Sequence, residues 1–182
     1  RLAARRGLTV KICATGQHRQ LLIGALRDFG LRADFNLELM RPSQRLNDFS
    51  ALGLRRLGAL LRGLKPALVV VQGDTTTALI GALAAFHERV PVAHVEAGLR
   101  TLDRSNPYPE EANRILVDRI ADLHFAPTWR AVSKTGELAL QGGPPAAAAY
   151  FCLPLGVPSY VAADWPAANG SALPTPRHWL CA

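Results

Sequence analysis

Apolar positions along this chain change rhythm repeatedly, and the changes mark out its elements. Thr9-Val-Lys-Ile-Cys-Ala14 reads as a short strand that ends at Thr15-Gly16. Residues 17–29 then place Leu21, Leu22, Ala25, Leu26 and Phe29 on one side of a helix. After a turn at Gly30, Phe35–Met40 is a second extended segment. Residues 44–64 form the longest helical pattern, rich in Leu, and Pro66 closes it. Ala67-Leu-Val-Val-Val-Gln72 is apolar almost without interruption, as suits a parallel strand buried on both faces. Gly73-Asp74 turns the chain into a helix from Thr75 to about Glu88, and Val90–Val95 is a further strand. A helix over 109–121 and a short strand over Leu123–Ala126 complete the series. This alternation predicts an α/β fold built on a doubly wound parallel sheet. Ligands of such sheets sit beyond the carboxyl ends of the strands.

The pattern stops near residue 140. From Gln141 to Ala182 half the residues are Ala, Gly or Pro, and the charged ones are Asp164 and Arg177. No strand or helix period is visible there, so residues 1–140 are expected to form the domain and 141–182 a poorly ordered tail. A shifted reading frame would explain a tail so poor in charge.

Composition narrows the class further. Hydrophobic residues make up 49% of the chain, the proportion of an ordinary globular protein. No apolar run approaches the roughly 20 residues of a membrane helix. The basic first ten residues lack the apolar stretch of a secretory signal, so the expected location is the cytoplasm. Cys13, Cys152 and Cys181 are scattered and form no Cys-x-x-Cys pair, which argues against a zinc site or a disulfide framework. The net charge of +7 invites a nucleic-acid reading, but its location weakens that reading. Residues 1–65 hold 13 Lys/Arg against 4 Asp/Glu, and 66–182 hold 8 against 10. Arg45, Arg55, Arg56, Arg62 and Lys65 fall in the long helical pattern, where they suit a solvated face. No nucleic-acid-binding motif accompanies them.

Several carboxylates fall at strand ends or helix starts. Asp74 follows the strongest strand, Glu96 ends the next, and Glu110 and Glu111 open a helix after Pro107-Tyr108-Pro109. Loops at one sheet edge bring such groups together, and neighbouring carboxylates shift one another enough for acid–base work. Each also has a structural reading. Asp74 is placed to cap the helix that begins at the threonines. Glu110 and Glu111 suit the positive end of a helix dipole, and Arg100 is a natural partner for Glu96. His18 opens a helix among hydrogen-bonding side chains, a place suited to an anionic ligand. His94 alternates with apolar neighbours and reads as a core histidine; His87 and His124 also read as structural. No metal-ligand spacing is present, and neither a Gly-x-Gly-x-x-Gly run nor a Walker loop nor a Gly-x-Ser-x-Gly elbow occurs.

Five strings occur in one order: Thr15-Gly-Gln-His-Arg19, Gly73-Asp-Thr-Thr-Thr77, His94-Val-Glu-Ala-Gly-Leu-Arg-Thr101, Pro107-Tyr-Pro-Glu-Glu-Ala-Asn-Arg114 and Leu123-His-Phe-Ala-Pro-Thr128. Together they resemble the bacterial non-hydrolysing UDP-N-acetylglucosamine 2-epimerases over residues 8–128; the hydrolysing relatives are similar in outline. The resemblance implies a Rossmann-like N-terminal half of a two-domain, glycosyltransferase-B-like fold, with the sugar nucleotide between the halves. It implies interconversion of UDP-GlcNAc and UDP-ManNAc, by elimination of UDP and its re-addition, without a metal or redox cofactor. Asp74, Glu96 and Glu110 match the family's acid–base carboxylates, and Arg100, Glu111 and Arg114 match positions that bind or orient. Gln17, His18, Gln20 and Gln44 match a region where bacterial members bind a second UDP-GlcNAc as activator. The family also suggests a homodimer, and a role in supplying sugars for cell-envelope polysaccharides. Relative to the family pattern, this sequence departs at both ends. No strand with a Gly-Thr-Arg-Pro-Glu loop precedes Leu8, and no second, UDP-binding domain follows. The expectation is therefore a sheet with an open gap and an incomplete enzyme.

Overall fold

The computed structural model describes residues 9–16, 24, 26–128, 130, 131, 134 and 178–181. Its elements follow the predicted alternation. Strand β1 (Thr9–Ala14) leads, after helical residues at 24 and 26–28, to the two-residue β2 (Phe35–Asn36) and helix α1 (Leu46–Leu64). Then come β3 (Leu68–Gln72), α2 (Thr76–His87), β4 (Val92–Val95), α3 (Glu110–Ile120), β5 (Leu123–Phe125) and β6 (His178–Cys181). The six strands form one parallel sheet in the order β2-β1-β6-β3-β4-β5.

The centre of that sheet departs from expectation. In dinucleotide-binding sheets of this kind the chain's first strand lies at the centre. Here the place between β1 and β3 holds β6, which pairs Val10 with Trp179 on one side and Val69 with Leu180 on the other. The sequence predicts a tail without a strand and a sheet with a gap. Instead, four tail residues fill it. A strand this short carries no readable period, and its position follows from the ladder groups on either side, which need partners. Residues 135–177 lie outside the described residues.

The helices form for the reasons visible in the sequence. In α1, Phe49, Leu57 and Leu61 are buried while Arg45, Arg55, Arg56 and Arg62 stay on the solvent side. Arg62 pairs there with Glu88 at 2.5 Å. Lys65, in a left-handed conformation with φ 47°, ends the helix ahead of Pro66. Helices α1 and α2 pack so closely that a Cβ on Gly53 would collide with Cδ1 of Ile80. Apolar side chains of β3 and β4, among them Val69, Val71 and Val92, complete the core under these helices. Burial also pushes the Cys13 thiol on β1 up to about 11, which keeps it protonated and unreactive. Among the described residues no helix is long and apolar enough to cross a membrane.

Candidate functional site

The turns after β3 and β4 and the first turns of α3 meet at the carboxyl edge of the sheet. Gly73 takes φ 75° and lets the chain leave β3 sharply; its N–H donates to the Val95 carbonyl at 2.9 Å. Glu96 leaves β4 with φ 70°, a left-handed conformation in which a side chain other than Gly is strained. Its N–H is fixed on the Phe125 carbonyl at 2.9 Å. The two turns touch. A Cβ on Gly73 would stand 3.3 Å from Oε2 of Glu96, so that carboxylate lies against Gly73, the residue before Asp74.

Asp74 does not cap α2. Thr75 holds that position and accepts the Ala78 N–H at 3.3 Å, while the Asp74 carboxylate pairs with the Arg114 guanidinium. Arg114 also reaches Oε2 of Glu111 at 3.3 Å, and thereby links the β3 turn to α3. Asn113, one residue before, donates from Nδ2 to the Asp74 carbonyl at 2.9 Å. Sequence reasoning missed Asn113 as a candidate, although it lies inside the string from Pro107 to Arg114.

Glu110 and Glu111 are adjacent and occupy opposite environments. Glu111 has no exposed surface, and its carboxylate accepts the N–H groups of Thr101 at 3.0 Å and Leu102 at 3.1 Å as well as Arg114. Glu110 is half-buried. Among the described residues, neither its carboxylate nor that of Glu96 has a hydrogen-bond or ion-pair partner. Arg100, expected to partner Glu96, turns the other way and binds Asp118. Asp118 lies on α3 seven residues after Glu111, about two helical turns, and so shares its inward face. Sequence reasoning missed this residue too. Its carboxylate accepts from Arg100, from the Gly98 N–H at 3.0 Å and from the His94 ring. Burial alone pushes this carboxyl upward. The proton and charge of His94 and those of Arg100 outweigh it and hold Asp118 below the usual carboxylate range.

Among the described residues the site thus consists of two saturated buried carboxylates, one ion-paired aspartate and two unpartnered glutamates, set at the strand ends where ligands of such sheets bind. Such a set is suited to move protons on a polar substrate. Gln44 lies apart from it in sequence, in the turn before α1, and accepts the Arg41 N–H at 3.1 Å. Gln17, His18 and Gln20 lie outside the described residues. Among the described residues no group of three His, Cys, Asp or Glu is arranged to hold a metal ion.

The family model for UDP-N-acetylglucosamine 2-epimerase matches residues 1–140. The chain belongs to that epimerase family. The UDP-N-acetylglucosamine 2-epimerase of Escherichia coli (strain K12) is 48% identical over 118 residues, 65% of this chain and 31% of that protein. The crystal structure of the Neisseria meningitidis UDP-GlcNAc 2-epimerase bound to UDP-GlcNAc superposes with TM-score 0.67 at 42% identity, over 70% of this chain and 34% of that one. That of the Methanocaldococcus jannaschii enzyme in complex with UDP-GlcNAc and UDP gives TM-score 0.58 at 40% identity, over 62% and 30%. The chain spans about a third of the length of the curated epimerases it matches. Its sheet is accordingly the Rossmann-like sheet of a glycosyltransferase-B-like fold.

Proposed function

We propose that this epimerase-family chain binds UDP-GlcNAc at the β3, β4 and α3 edge, where its residues serve the inversion at carbon 2 that gives UDP-ManNAc. The observation that carries this reading is the pair of carboxylates without partners among the described residues, Glu96 and Glu110, beside an Asp74–Arg114–Glu111 chain of ion pairs. Elimination of UDP removes the carbon-2 proton and breaks the bond from carbon 1 to the diphosphate. Re-addition returns a proton from the other face and restores that bond. Glu96 and Glu110 are the groups assigned to the two proton transfers. Asp74 assists as the third carboxylate, oriented by Arg114. The Arg114 and Arg100 guanidiniums keep the edge from becoming uniformly negative, which a diphosphate would oppose. The reading requires neither metal nor redox cofactor.

The same reading extends to a cytoplasmic homodimer serving cell-envelope polysaccharide synthesis. It also assigns Gln17, His18, Gln20 and Gln44 to an activating second UDP-GlcNAc. The test adds UDP-GlcNAc to the isotopically labelled chain and follows two signals by NMR. The expected result is movement of the Gly73 and Gly98 amide signals, together with anomeric signals of UDP-ManNAc that are absent with Glu96→Gln. Free ManNAc with UDP as product would instead favour a hydrolysing epimerase. Amide movement without product would mark a nucleotide-sugar-binding chain without turnover. No movement and no product from the folded chain would contradict the reading.

A further inference from the structure

His94 occupies a position that a core histidine does not need. It lies on β4, wholly buried, two residues before Glu96. Its Nδ1 faces Oδ1 of Asp118 on α3, and its Nε2 faces the Gly73 carbonyl at 2.8 Å. Both neighbours are acceptors. A neutral imidazole has one N–H and one lone pair, so either tautomer would set a lone pair against an oxygen at close range. Two N–H groups satisfy both contacts. A buried cation requires a counter-charge, and Asp118 supplies it while also receiving Arg100 and the Gly98 N–H. We propose that His94 is a positioning residue: as a doubly protonated imidazolium between Asp118 and the Gly73 carbonyl, it locks the turns bearing Asp74 and Glu96 into one frame.

The geometry gives that link leverage over both carboxylates. Gly73 immediately precedes Asp74, and the Glu96 carboxylate lies against the face of Gly73 that a side chain would occupy. Asp118 at the other end fixes Gly98, two residues past Glu96, where the chain again takes a positive φ of 80°. One ring therefore ties the β3 turn to α3, and α3 to the β4 turn. His124, on the neighbouring strand, provides an internal contrast. It is also buried, but it bonds through Nε2 alone to the Asp118 backbone carbonyl at 2.9 Å, and its Nδ1 has no partner. The His124 ring makes no hydrogen bond to either turn, so it serves as the control. Among the described residues, the charged groups bonded to the His94 ring directly or through its partner are Asp118 and, across it, Arg100.

The importance of this frame for proton transfer rests on the epimerase reading; the bridge itself does not. The test uses the full chain without nucleotide, labelled with nitrogen-15 in histidine, in neutral buffer. The His94 ring is expected to show protons on both nitrogens, with the matched nitrogen shifts of an imidazolium, and His124 a proton on Nε2 alone. Carbon-13 carboxyl signals of Asp74 and Glu96 are then compared between His94→Gln and His124→Gln. The first substitution should displace both signals and the second neither. A His94 ring with a single proton would overturn the proposal, as would equal carboxyl shifts in the two variants. Should His94→Gln fail to fold, the wild-type spectrum decides alone. Because no nucleotide is present, the outcome is the same whether or not the chain binds UDP-GlcNAc.

Discussion

Glu111 and Asp118 face inward from α3, while Glu96 and Glu110 stand at its approaches, and the two pairs have opposite fates. The inward pair has no exposed side-chain surface and takes up two guanidiniums, one imidazole ring and three backbone N–H groups. The other pair has no partner among the described residues, and Glu96 is held in a strained backbone conformation besides. A carboxylate saturated with donors is a structural anchor, because losing it leaves donors buried and unpaired. A carboxylate left unpaired at a strand end contributes little to folding and is available for proton transfer. Strain at such a residue persists because the surrounding frame over-determines it.

The contrast is sharpest at Asp118. Asp118→Asn leaves His94 and Arg100 buried without their counter-charge and should cost about 3–5 kcal/mol, read from urea unfolding. Acid provides the same test without mutation. The Asp118 carboxyl is held below its ordinary value in the folded chain. The stability it contributes is therefore complete above the unfolded value of about 3.9 and is lost as the pH falls through the folded value. Unfolding midpoints of the wild type should drop below about pH 4, and Asp118→Asn should lack that component of the drop.

Glu111→Gln tests the second anchor more gently. The amide retains one accepting oxygen and turns its NH2 toward a backbone N–H of Thr101 or Leu102, for a loss of about 1–3 kcal/mol. Glu96→Gly should act in the opposite direction. Glycine adopts φ 70° freely, so relief of strain less the flexibility it adds leaves a gain of about 0.5–1 kcal/mol. If Glu96→Gly destabilises the chain instead, Glu96 is an anchor too and the contrast fails.

Hydrophobic rhythm alone located β1, α1, β3, α2, β4, α3 and β5 to within about two residues, because each buries one side or both in a local pattern. Of the extended segment Phe35–Met40 two residues form strand β2, and the N–H groups of Leu37 and Leu39 continue to donate to the carbonyls of Ala14 and Thr15 beyond it. Hydrophobic rhythm could not locate β6, whose four residues are placed by ladders from Thr9–Ile12 and Leu68–Val70, far away in sequence. At the site, the motif strings brought Asp74, Glu96, Glu110 and Arg114 into view. They left unread the direction in which each side chain turns. Proximity in sequence suggests Glu96 as the partner of Arg100, which in fact reaches Asp118, eighteen residues on. For Asp118 the sequence does carry a signal: its spacing of seven from Glu111 sets both on one helix face. The alternation of β4 places His94 in the core, where it is buried, but nothing in that alternation tells which acceptors meet its two nitrogens.

The most direct test of the division between anchors and unpaired groups is urea unfolding of the Glu96→Gln/Glu110→Gln double variant at neutral pH. If these carboxylates carry no part of the fold, its free energy of unfolding stays within about 0.5 kcal/mol of the wild type. A loss of about 2 kcal/mol or more would show that they hold the structure together, and would contradict their assignment as groups kept free for proton transfer.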